Sequence, residues 1–213
     1  SDLGINPALP GILHMDVAGV ITEVGEGVTA FKTGDEIYGC AGGLQGEAGN
    51  IEGALADFML ADSNLIALKP KSLSFSESAA LPLVTITAWE GLFDRAHIKK
   101  EDHVLIHGGT GGVGHIAIQL ARQHGARVAT TVSSEDKAKV ARGLGAEDII
   151  FYRDEKVEDY TQRLTKGKGF DVVFDTIGAG NLDKSLEAVK VSGQVIGIIG
   201  GNKHDLTPMH MKG

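Results

Sequence analysis

The chain has 213 residues, and its 20 basic and 28 acidic side chains leave a net charge of −8. That length holds one large or two modest domains with a real core, and 42% hydrophobic against 23% charged residues argues against disorder. The acidic balance, without a basic run, disfavours nucleic acid and anionic membrane surfaces as partners, no apolar stretch nears the roughly 20 residues of a bilayer span, and the single cysteine, Cys40, excludes an internal disulfide.

Residues 1–82 read as β-rich and irregular. Val17 to Val24 is a strand pattern closed by a turn at Gly25-Glu26-Gly27, and Gly34-Asp35 turns into Glu36-Ile37-Tyr38. The glycine-rich stretch 39–53 reads as loop, and Ala54 to Ala61 and Asn64 to Leu68 as two further strands. From Ser76, an N-cap candidate, a helix runs to Phe93 with an interruption at Pro82. Strands then alternate with helices. The strands are 103–107, 127–132, 148–151, 171–175 and 194–199; the helices are 111–124, 135–144, 157–165 and 182–190. Five short apolar strands joined by helices call for an α/β fold with a doubly wound parallel sheet, Rossmann-like once right-handed crossovers are imposed. Thirty glycines, roughly double the usual share, point to many tight turns or close ligand approaches. The chain starts at Ser1 without an initiator Met and ends beyond Pro208 without a closing element, which reads as a piece of a longer protein. With no signal or transit segment visible and one unpaired thiol, a cytoplasmic location is expected.

The strongest local signal is His107-Gly108-Gly109-Thr110-Gly111-Gly112-Val113-Gly114. Gly109, Gly111 and Gly114 satisfy G-x-G-x-x-G directly after a strand and before an amphipathic helix, the context that gives the motif its meaning. The first glycine permits the turn, the second removes a Cβ from the path of a pyrophosphate, and the third lets the helix pack close. Unpaired N–H groups at the helix start then attract phosphate. A ligand-free strand–helix turn is the plain alternative. An NAD site wants an acid at the end of the second strand, whereas this one ends Thr130-Thr131-Val132-Ser133-Ser134, with Lys137 one turn on. Hydroxyls and a lysine suit a 2′-phosphate, so NADP is the expected cofactor. Ser133 or Ser134 also serves as an N-cap, and the two roles are compatible.

With these residues the chain resembles the medium-chain dehydrogenase/reductase superfamily, and within it the zinc-free quinone oxidoreductases related to zeta-crystallin. The matching stretches are 16–28 (DVAGVITEVGEGV), 31–35 (FKTGD), 80–88 (ALPLVTITA), the loop at 107–114, and Leu144-Gly145-Ala146. The resemblance implies a GroES-like β-rich catalytic domain, here its remainder at 1–82. It implies an NADP-binding Rossmann domain at 83–213 lacking its last strand, and an active site in the cleft between them. It also implies residue roles. Thr110, Gly111, Gly112 and Val113 would meet the pyrophosphate, and Ser133, Ser134, Lys137 and Tyr152 the adenosine phosphate. Gly178 would lie by the adenine half, Ile198, Ile199 and Gly200 near the nicotinamide ribose, and Thr87 on the nicotinamide side. Members dimerise through the last Rossmann strand, so a homodimeric parent is implied.

Zinc alcohol dehydrogenases of this superfamily carry a ligand histidine at the place held here by Met15, a poor zinc partner. Neighbouring His14 would face away if the strand began there, and His204, His210, Met209 and Met211 are too scattered to suggest a site. No metal is expected. Without a Lewis acid, an activated acceptor is the natural substrate, a quinone or an α,β-unsaturated carbonyl that takes hydride at carbon. No Ser/His/Asp set or carboxylate pair stands out as catalytic machinery. Asp16 reads as orienting backbone, and Asp175 as capping the turn after its strand. Two alternatives stand beside this reading: a zinc-type alcohol dehydrogenase with ligands elsewhere, and a non-catalytic nucleotide-binding protein of the crystallin kind.

Overall fold

The computed structural model describes residues 12–43, 45–46, 49–50 and 53–200. His204, Met209, His210 and Met211 lie outside the described residues. Contacts divide the chain into two compact units, Ser1–Val84 and Thr85–Gly213.

In the first unit β1 (Asp16–Val20) pairs antiparallel with β2 (Glu36–Cys40). A third strand, β5 (Ile66–Leu68), pairs antiparallel with the other side of β2. Two short strands, β3 (Gln45–Gly46) and β4 (Gly49–Asn50), pair inside the stretch read as loop. Three expectations need correction here. The first strand stops at Val20, because Ile21 leaves the ladder to exchange backbone bonds with Asp35 and Gly34 in the adjoining turn. Residues 54–61 form no strand, and Phe58 (78%) and Leu60 (92%) stay exposed. Their apolar spacing had mimicked a strand, but strand spacing stabilises nothing without a partner edge. Helix α1 (Phe75–Ala79) starts from Ser74, not Ser76: Ser74 Oγ accepts the Glu77 N–H while Glu77 reaches back to the Ser74 N–H. This reciprocal pair satisfies two otherwise orphaned donors.

Helix α2 (Pro82–Trp89) continues into a π-helical turn over Glu90–Arg95, in which the Ala96 N–H reaches back to Gly91 O. Gly91 faces the sheet so closely that a Cβ there would come within 2.5 Å of Phe174.

In the second unit β6 (His103–His107), β7 (Arg127–Val132), β8 (Asp148–Phe151), β9 (Phe170–Asp175) and β10 (Val189–Gly197) form one sheet in the order β10-β9-β6-β7-β8. Every pairing is parallel. The linking helices are α3 (Gly112–His124), α4 (Glu135–Gly143), α5 (Val157–Thr165) and α6 (Asn181–Ala188). Strand residues such as Leu105, Val128, Ile150, Val173 and Phe174 are fully buried, as strands covered on both faces must be. Residues 189–193 extend β10 backwards, where a helix end had been expected, with a register irregularity between Val189 and Gln194. The strand order reverses between β6 and β9. In doubly wound sheets that crevice, at the carboxyl ends of the strands, is where ligands bind.

Candidate functional site: the carboxyl ends of the parallel strands

The loop after β6 is built from the inside. A Cβ on Gly109 would collide with Thr130 Oγ1, and one on Gly114 with Gly108 O, so the fold itself demands these two glycines. Gly111 is different. It sits at an ordinary φ of −80°, and the nearest atom to a Cβ there would be Gly108 O at 3.3 Å. Packing therefore asks far less of Gly111 than of its neighbours, while Gly111 and Gly112 are both exposed at the helix start. No side chain caps α3, in contrast to the serines that cap α1 and α4. A 13-residue helix thus opens with bare amides and its positive dipole end at a glycine surface, which is the requirement of a pyrophosphate. The residues fit the dinucleotide.

Asp175 organises the next loop. Its Oδ1 accepts the Ile177 and Gly178 N–H groups at 2.9 and 3.0 Å, and its Oδ2 accepts from Asn181 Nδ2 and Ser185 Oγ at 3.0 and 2.9 Å. Burial pushes this carboxyl up, but those four donors outweigh it and hold it below the usual range. Gly178 stands at φ +67°, and a Cβ there would come within 2.6 Å of Ile199. The structure thus brings Gly178 and Ile199 together, with Ile198 bonded through its N–H to Asp175 O and exposed Gly200 following. The Thr176 hydroxyl donates to His107 O at 2.6 Å and ties this loop to the glycine loop.

His107, beside Asp175 in the ladder, is 2% exposed. Burial pushes its imidazole down to about 4, with Asp175 pulling it up and Lys184 down. It is therefore neutral at physiological pH. Its Nδ1 lies 3.4 Å from Thr131 Oγ1, which also accepts the Gly108 N–H, and its Nε2 meets no partner among the described residues.

On the other flank Ser134 N-caps α4, its Oγ accepting the Lys137 N–H at 3.4 Å. Phe151 pairs with Val132, and the Tyr152 N–H points to Val132 O, so Tyr152 leaves its strand beside Ser133. Ser133, Ser134, Lys137 and Tyr152 therefore gather at one corner. Thr110, half-buried, precedes Gly111 on the glycine loop, and Val113 lies in the first turn of α3. Thr87, half-buried on α2, lies outside these strand-end loops. Sequence reading overlooked His107 and Thr176. The signal for Thr176 was present in Asp175-Thr176-Ile177-Gly178, an Asx-type turn that places a hydroxyl at its second position.

In the first unit the Asp16 carboxylate accepts the Leu83 N–H at 2.9 Å and the Cys40 thiol. Burial raises Asp16, and burial together with Asp16 pushes the Cys40 thiol up to about 11. His14, at φ +72°, precedes β1 and is not extended, so it lines the same concavity as Met15 instead of facing away. A thioether, a protonated thiol and an engaged carboxylate do not suit zinc. No group of three or more metal-ligating side chains occurs among the described residues.

Two family models match: "Alcohol dehydrogenase GroES-like domain" over residues 2–71 and "Zinc-binding dehydrogenase" over residues 112–212. Among curated proteins, the chain is 40% identical over 193 residues to a 2-methylene-furan-3-one reductase of Solanum lycopersicum, covering 90% of this chain and 47% of that protein. It is 37% identical to an NADPH-dependent alkenal/one oxidoreductase of Arabidopsis thaliana, covering 90% and 48%, and 32% identical to the Homo sapiens quinone oxidoreductase, covering 89% and 55%. The chain thus spans about half the length of the curated relatives it matches. Among solved structures, an alcohol dehydrogenase superfamily protein from Novosphingobium aromaticivorans superposes with a TM-score of 0.89 at 45% identity, covering 96% of this chain and 60% of that one. Escherichia coli quinone oxidoreductase complexed with NADPH superposes at 0.87 with 29% identity, covering 100% and 64%. With both family models in order and the parallel sheet, glycine loop and antiparallel β unit in place, the chain belongs to the medium-chain dehydrogenase/reductase superfamily, and within it is similar to the zeta-crystallin-like quinone oxidoreductases.

Proposed function

We propose that the protein is an NADPH-dependent oxidoreductase that reduces a quinone or an α,β-unsaturated carbonyl without zinc. The observation that carries the reading is the uncapped start of α3 behind Gly111, with Ser133, Ser134 and Lys137 gathered at the end of β7 where an NAD site would hold an acid. NADPH, when bound, supplies the hydride. The residues of this chain hold and orient it. Backbone amides from Thr110 to Val113 take the pyrophosphate, Ser133, Ser134, Lys137 and Tyr152 take the adenosine 2′-phosphate, and Gly178 flanks the adenine half. Ile198, Ile199 and Gly200 border the nicotinamide ribose, and Thr87 serves the nicotinamide side. The relatives named as an NADPH-dependent alkenal/one oxidoreductase and a quinone oxidoreductase support an activated acceptor for this chain too. Such an acceptor takes hydride at carbon, and backbone or hydroxyl donors suffice to stabilise its oxyanion. The reading extends to a cytoplasmic homodimer of the full-length protein: Cys40 is the single cysteine of the chain, and β10, which pairs only with β9 among the described strands, leaves open the edge on which the last Rossmann strand, the dimerising one by resemblance, would add. No described helix is long and apolar enough to cross a membrane.

Calorimetric titration of the chain with NADPH and NADH tests the cofactor assignment, and turnover of an enone and a quinone by the full-length protein tests the reaction. Tighter NADPH binding together with substrate-dependent NADPH oxidation is expected. NADPH binding without turnover of either acceptor class would leave a nucleotide-holding protein and overturn the enzymatic reading.

A further inference from the structure

We propose that Arg153 is a second cation for the 2′-phosphate of the cofactor, acting beside Lys137. The proposal rests on the reading of Ser133, Ser134, Lys137 and Tyr152 as the adenosine-phosphate corner. Of the six arginines in the chain, five donate to a carboxylate: Arg95 to Glu90, Arg122 to Glu147, Arg127 to Asp148, Arg142 to Glu135 and Arg163 to Glu155. Arg153 alone has no ion-pair partner among the described residues. Of the two acids that follow it in the chain, Glu155 is already engaged by Arg163, and Asp154 makes no ion pair among the described residues.

The placement of Arg153 is specific. It follows Tyr152, which leaves β8 beside Ser133, and its guanidinium lies 5.7 Å from the centre of the Tyr152 ring. Both side chains are exposed, Tyr152 at 46%. A guanidinium resting on an aromatic face keeps its in-plane N–H groups open, and those match phosphate oxygens in pairs. A phosphate monoester carries close to two negative charges at neutral pH, so Lys137 alone leaves part of that charge unmatched.

The test titrates NADPH and NADH into the wild-type chain and into R153M, R153K and K137M, at low and moderate salt. R153M is expected to weaken NADPH about tenfold and leave NADH within about twofold, because a charge-assisted hydrogen bond is lost only where the phosphate is present. R153K should recover part of the loss, and R153M should show a shallower salt dependence for NADPH. If the wild type prefers NADPH and R153M keeps the same preference, Arg153 only covers Tyr152 and the proposal falls, while the reading of the corner stands. If the wild type binds the two cofactors equally, or neither, the corner reading and the proposal fall together. A melting temperature for R153M equal to wild type shows that folding is not the cause; should it melt early, R153Q compared with R153K gives the same contrast.

Discussion

His107 makes the second unit sensitive to acid, because burial keeps its ring neutral in the folded state. Its imidazole is 2% exposed and pushed down to about 4 by burial, so the folded state keeps it neutral while the unfolded chain protonates it near 6.5. The folded-state value is depressed, so the unfolded state binds more protons below neutrality, and stability falls as the pH drops from about 6.5 towards 4. Integrating the two titrations from pH 7 to pH 5 gives a loss of about 2 kcal/mol from this residue alone. Asp175 responds lower down: its carboxyl is held below the usual 3.8, so its contribution is complete above that value and lost beneath it. Urea denaturation of wild type and H107Q, each at pH 7 and pH 5, reads the difference. Glutamine does not titrate, so its variant should lose about 2 kcal/mol less over that interval, whatever its stability at pH 7. Equal losses for the two proteins would refute the reasoning, and would mean that His107 is protonated in the folded state or opens locally before the protein unfolds.

Three further outcomes follow from the geometry. Gly114→Ala should fail to fold normally, because its Cβ would collide with Gly108 O, whereas Gly111→Ala should melt near the wild-type temperature and lose most dinucleotide affinity; thermal melts and calorimetry on the pair check this. Asp175→Ala leaves four donors without their acceptor, and hydrogen exchange should accelerate at Ile177 and Gly178 while dinucleotide binding weakens at least severalfold. Ser74→Ala removes the capping box of α1 and should cost about 1 kcal/mol by urea denaturation, with no change in the NADPH to NADH preference.

Legibility in the sequence followed burial. Strands β6 and β7 have the bounds read from the residues, because an apolar run buried on both faces and closed by turn residues has few other uses, and the half-buried edge strand β8 has them too. Helix α5 is likewise as read. The edge strand β10 was misjudged because Lys190, Ser192 and Gly193 carry no strand signal: between the pairs Val189–Phe170 and Gln194–Val172 the register shifts, and Ser192 stands at φ +58°, an irregularity that no local pattern announces. Phe58 and Leu60 show the converse, a strand-like pattern with no neighbouring edge to pair with. The start of α1 was readable from Ser74-x-x-Glu77, a spacing passed over in favour of Ser76. At the candidate site, the glycine loop and the proposed phosphate corner of Ser133, Ser134 and Lys137 could be named from sequence because residues close together in the chain carry them. The contact of Gly178 with Ile199, and the bond from Thr176 to His107, join distant segments and need the fold.

The central claim is that a dinucleotide lies across the carboxyl ends of these strands, with its pyrophosphate on the start of α3. Hydrogen exchange of the chain with and without saturating NADPH tests it at the backbone itself. The account predicts slower exchange confined to the amides of Gly111, Gly112 and Val113, the turn at Ile177 and Gly178, and the start of α4. Unchanged exchange at Gly111–Val113 under conditions where NADPH is demonstrably bound would contradict it, and would place the cofactor elsewhere on the molecule.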